Sequence, residues 1–93
     1  MFITLEGVEG SGKSTQLDNI RAFLQERGRT VVVTREPGGT DIGRKIRSIL
    51  LNPDNREMEA LTELFLYEAD RAEHVRKIIA PALSAGKTVL CDR

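Results

Sequence analysis

The chain has 93 residues, room for one compact unit, and 40% of them are hydrophobic, enough for a core. Its 14 basic and 14 acidic side chains cancel, which excludes a generically basic nucleic-acid or membrane surface and makes each arginine a question of position. A lone cysteine, Cys91, excludes an internal disulfide and suits a reducing cytoplasm, while no apolar run approaches the roughly 18 residues of a membrane span and no signal-peptide pattern opens the chain.

The first predicted strand covers residues 2 to 6, on the β-branched and aromatic content of Phe2, Ile3, Thr4 and Leu5. It runs into Gly7-Val8-Glu9-Gly10-Ser11-Gly12-Lys13-Ser14, a complete G-x-x-x-x-G-K-[ST] loop, with Thr15 next. At ordinary residue usage a random window matches this pattern about three or four times in 10⁵, so its place between a strand and a helix is not accidental. Its glycines let backbone N–H groups fold around a phosphate, Lys13 reaches the β/γ oxygens, and the Ser14 hydroxyl is suited to Mg²⁺. A helix starting at Lys13 adds the positive end of its dipole. This predicts a site for a nucleoside triphosphate. Glu9 stands out, because a carboxylate beside bound phosphates costs about 1 kcal/mol or more in a screened site. It needs a task, and accepting a hydrogen bond from a sugar hydroxyl of a second substrate is one.

That first helix carries Leu17, Ile20, Phe23 and Leu24 at helical spacing and stops at Gly28. Strand two is predicted from Thr30 to Thr34, and its Val31-Val32-Val33 run suits burial on both faces. The loop Arg35-Glu36-Pro37-Gly38-Gly39-Thr40 follows. Ile42, Ile46, Ile49 and Leu50 mark a short amphipathic helix ending before Pro53. From Met58 to about Ala85 lies a longer helical region with Leu61, Leu64, Phe65, Val75, Ile78 and Leu83 expected inward, kinked or restarted by Pro81 and closed by Gly86. Strand three is Thr88 to Cys91. The order β-α-β-α-α-β predicts an α/β fold with a parallel, doubly wound sheet, which binds ligands beyond the carboxyl ends of its strands.

Further residues sit at those strand ends. Pro37 fixes a turn after strand two, Gly38 and Gly39 permit close backbone approach, and the fork of Arg35 suits phosphate oxygens; a solvated arginine in an ordinary turn is the plainer alternative. Asp92, directly after strand three, resembles a carboxylate that holds Mg²⁺ directly or through water, with Arg93 beside it. On the long helix Tyr67 and Arg71 are four apart and share a face, so a ring and a guanidinium lie side by side as a flat base requires. On spacing alone, a helix-surface pair is the simpler reading of them. Arg47, alone, reads as a solvated charge. His74, among Glu73, Arg76 and Lys77, reads as a surface residue.

Together, F-I-T-L-E-G-V-E-G-S-G-K-S-T (Phe2 to Thr15), T-R-E-P-G-G-T (Thr34 to Thr40), Y-E-A-D-R-A-E-H (Tyr67 to His74) and V-L-C-D-R (Val89 to Arg93) resemble bacterial thymidylate kinases, nucleoside monophosphate kinases of the P-loop NTPase fold, over the whole chain. The resemblance implies a three-layer α/β/α architecture and transfer of a phosphoryl group from ATP to dTMP, with Mg²⁺, giving ADP and dTDP. It implies that Gly7 to Thr15 bind ATP, that Ser14 and Asp92 serve the metal, and that Glu9 meets the dTMP 3′-hydroxyl. Arg35 and Arg93 would grip the dTMP phosphate, Arg47 would line the thymidine pocket, Arg71 would hydrogen-bond thymine and Tyr67 would stack on it. It implies a cytoplasmic homodimer that binds neither nucleic acid nor membrane.

Two departures stand out. The stacking position, usually Phe, is Tyr67, with Phe65 as the other candidate. Gly10 stands where some relatives carry a catalytic arginine, which others supply from a mobile lid. The chain stops just past its third strand, so residues 1–93 are expected to be the N-terminal part of a single kinase domain, without useful turnover alone. A P-loop GTPase or ATPase switch is disfavoured, because no aspartate is followed three residues later by glycine. Another P-loop nucleotide kinase and a non-catalytic phosphate-binding fragment stay as alternatives.

Overall fold

The structure, a computed structural model, describes residues 1–7 and 12–93. The elements are β1 (Phe2–Leu5), α1 (Lys13–Glu26), β2 (Val31–Arg35), α2 (Asp41–Leu51), a 3-10 turn (Pro53–Asn55), α3 (Ala60–His74), a π-helical turn (Val75–Ile79), α4 (Ala80–Ser84) and β3 (Thr88–Asp92). Every predicted element is present, and their bounds lie within two residues of expectation. Two compact units result: residues 1–35 with 80–93, and residues 36–79.

The first unit is built on the sheet. All pairings are parallel and the strand order is β1-β3-β2, so the last strand in sequence is the central one. Val89, Leu90 and Cys91 of β3 are fully buried, and burying Val or Leu side chains contributes about 1.5–3 kcal/mol each. The valine run of β2 was expected to be buried on both faces, but β2 lies at the edge: Val31 and Val32 are half-buried and Val33 is exposed. Leu17 and Leu24 supply the buried side of α1 and Ala82 that of α4. Phe23 is not inward as its spacing suggested; it is exposed, with the Arg27 guanidinium 3.5 Å from its ring centroid. That contact covers one ring face with a cation, which is favourable even at the surface.

The second unit holds α2 against α3. Thr40 caps α2, its hydroxyl accepting from the Gly43 N–H at 2.8 Å. Ile46 is the buried apolar residue of α2, while Ile42 and Ile49 are exposed. The inward stripe expected on α3 is reversed. Leu61, Leu64 and Phe65 are exposed, and the fully buried residues are Asp70 and His74. Val75 and, in the first unit, Leu83 are likewise exposed. Pro81 acts upstream of itself. It has no N–H to donate four residues back, to Lys77, which belongs to the π-helical turn that separates α3 from α4.

Candidate active site

In the first unit, parallel pairing brings the carboxyl ends of the three strands to one edge. Asp92 is the register partner of Leu5 on β1 and of Arg35 on β2. Arg35, exposed, therefore ends β2 beside Asp92. Beyond β1 the chain reaches Gly7, and α1 begins after Gly12, whose φ of 82° is left-handed and free of penalty only for glycine. Val8, Glu9, Gly10 and Ser11 lie outside the described residues.

Lys13, the first residue of α1, reaches back to this edge. Its ammonium donates to the carbonyl oxygens of Gly7 and Arg93, both at 3.1 Å, and lies 2.7 Å from Asp92 Oδ1. The contact with Asp92 Oδ1, itself a buried atom, is an ion pair. Lys13 thus ties together the end of β1, the end of β3 and the start of α1. Arg93 is fixed by its backbone N–H, which donates to Leu5 O at 2.9 Å, and its guanidinium lies 3.8 Å from Glu6. Ser14 and Thr15 follow in the exposed first turn of α1, where the leading N–H groups have no partner within the helix.

In the second unit, the loop after β2 is fastened to α3. The Glu36–Pro37 peptide is cis. The Gly38 N–H donates to Asp70 Oδ1 at 3.0 Å, and both residues are buried. Glu36 Oε1 accepts from Arg71 Nε at 3.1 Å, and its Oε2 lies 2.6 Å from His74 Nδ1. An ionised carboxylate can only accept, so Nδ1 carries the proton. His74 is completely buried and Glu36 is 7% exposed, whereas the Arg71 side chain is 48% exposed. The reading of His74 as a surface residue is therefore corrected. Charged neighbours in sequence suggested solvent, but the Glu36 carboxylate gives its imidazole a partner in the interior.

Tyr67 is one turn before Arg71 on α3 and exposed; Leu64, three residues before Tyr67, is exposed on the same side, while Leu61 and Phe65, four apart, are exposed towards the other. Arg47 is half-buried on α2. Close approach of α2 to this loop depends on Gly43, since a Cβ there would stand 2.5 Å from Asp70 Oδ1 and 3.3 Å from Gly38 Cα.

Sequence reasoning missed Glu36, Asp70 and His74. The signal was present in Asp-Arg-x-x-His, whose positions 70, 71 and 74 fall within one helical turn and so meet one loop.

Comparison with known proteins agrees with this geometry. The family model for thymidylate kinase matches residues 5–93. The chain is 67% identical over 93 residues to a thymidylate kinase of Desulfosudis oleivorans and 62% identical to that of Desulforapulum autotrophicum, covering all of this chain but 44% and 41% of those proteins. The crystal structure of thymidylate kinase from Ehrlichia chaffeensis superposes with a TM-score of 0.87 at 44% identity, over 100% of this chain and 53% of that one. The parallel sheet and its helices are thus those of a P-loop NTPase, and the chain belongs to the thymidylate kinase family.

Proposed function

We propose that these 93 residues supply the triphosphate-binding and dTMP-binding elements of a single kinase domain, which in the intact protein transfers the γ-phosphoryl group of ATP to dTMP, yielding ADP and dTDP. The observation that carries this reading is Lys13, drawn by three oxygens to the point where β1, β3 and α1 meet. Lys13 and the loop from Gly7 to Thr15 hold the ATP phosphates, Lys13 as a point charge and the start of α1 through its N–H groups. The buried Asp92 Oδ1, ion-paired with Lys13, and the Ser14 hydroxyl are hard oxygen donors that fit Mg²⁺. When bound, Mg²⁺ neutralises charge on the phosphate oxygens.

Arg35, register partner of Asp92, and Arg93 hold the dTMP phosphate. Arg71 hydrogen-bonds an exocyclic oxygen of thymine and Tyr67 stacks on the ring; the exposure of Phe65 on the other face of α3 supports Tyr67 for that task. Arg47 lines the thymidine pocket and Glu9 accepts from the sugar 3′-hydroxyl. Alignment of the two phosphates, rather than covalent participation by protein, then provides the rate.

A second copy is the partner we assign to Leu61 and Phe65, apolar residues four apart and exposed on α3; the protein acts as a homodimer in the cytoplasm. No helix among the described residues is long and apolar enough to cross a membrane, and the balanced charge gives nucleic acid no general foothold.

The test is a product assay on the intact protein with ATP, Mg²⁺ and each common nucleoside monophosphate in turn. We expect dTDP as the main product, and Lys13→Ala to lower turnover at least a hundredfold with the fold retained. Preference for another monophosphate, or ATP hydrolysis indifferent to dTMP, would contradict the proposal.

A further inference from the structure

We propose that Glu36 and His74 are positioning residues that orient Arg71 for the pyrimidine base. The inference rests on the reading of Arg71 given above. One carboxylate serves two partners: Oε1 takes Arg71 Nε at 3.1 Å and Oε2 takes the Nδ1–H of His74 at 2.6 Å. Nε is the inner nitrogen of the guanidinium, so this contact fixes the plane of the group from its root while the side chain stays half exposed. The imidazole, fully buried at the end of α3, stops the carboxylate from rotating.

Fastening the loop to α3 does not explain the arrangement, because the Gly38 N–H on Asp70 already does that. Stability does not explain it either. Buried charged groups are costly to desolvate and are often replaceable by apolar ones without loss. What the pair adds is a fixed direction for an arginine that would otherwise sample many rotamers. Immobilising one such side chain before binding is equivalent to about three- to tenfold in affinity.

The experiment measures KM for dTMP and for ATP, with thermal unfolding alongside, in the intact protein and four variants: His74→Leu, His74→Asn, Arg71→Ala and the double Arg71→Ala/His74→Leu. Asparagine keeps an N–H donor at the place of Nδ1. We expect His74→Leu to raise KM for dTMP about three- to tenfold with KM for ATP unchanged, and His74→Asn to return to within about twofold of the parent. In the Arg71→Ala background His74→Leu should add nothing, because its effect passes through that arginine. An equal effect in both backgrounds, or a parallel rise for ATP, overturns the inference alone. Arg71→Ala without effect on dTMP overturns the reading of Arg71 and the inference together. Should His74→Leu fail to fold, Glu36→Gln, which keeps the volume and removes the charge, must show the same dTMP-selective and non-additive loss.

Discussion

At Lys13 an ammonium with three hydrogens meets three oxygens, two from backbone carbonyls and one from Asp92, in a setting where its side chain is 14% exposed. The sequence pattern foretold the lysine because the G-x-x-x-x-G-K-[ST] signature is local, as is one of its three oxygens, that of Gly7. Asp92, 79 positions later, was legible for another reason: a polar residue ending an apolar strand marks the edge where parallel sheets bind ligands. Gly12 shows the same local logic. Its φ of 82° admits no β-carbon without strain, and among the described residues nothing lies within 4 Å of where that carbon would sit. Gly12→Ala therefore isolates the backbone term. We expect a loss of about 1–2 kcal/mol in chemical denaturation, and an unchanged midpoint would show that the turn does not require glycine.

At the scale of elements, helices and strands followed from periodicity, but which faces they bury did not always. On α3 the apolar residues Leu61, Leu64 and Phe65 point outward, and the interior is given to Asp70 and His74. Periodicity ranks residues by hydropathy, so it cannot see a carboxylate whose burial is compensated by a backbone N–H 32 positions away. The centrality of β3 was equally hidden, since strand order depends on long-range pairing and the Val31-Val32-Val33 run looked the more buried of the two. The approach of α2 to the loop gives a test at this scale. Gly43→Ala places a methyl 2.5 Å from Asp70 Oδ1, and overpacking of this kind costs about 1–3 kcal/mol. It should lower the melting temperature and release the Gly38 amide to rapid hydrogen exchange. Retained protection at Gly38 would mean that α2 shifts to make room.

At the scale of the whole molecule the chain forms two compact units. In the proposed reading, residues 1–35 with 80–93 carry Lys13, Arg35, Asp92 and Arg93 for the phosphates, and residues 36–79 carry Tyr67 and Arg71 on α3 for the base. That reading is chemically divided: cations at strand tips serve phosphate, and an aromatic-guanidinium pair on a helix serves the base. Amide chemical shifts of the ¹⁵N-labelled intact protein, titrated separately with ADP and dTMP, test it most directly. The account predicts that ADP moves residues 12–15 most, while dTMP moves Gly38, Gly39 and residues 67–71. Titration with dTMP that leaves residues 36–39 and 67–71 unmoved, or that shifts only the set responding to ADP, would contradict it.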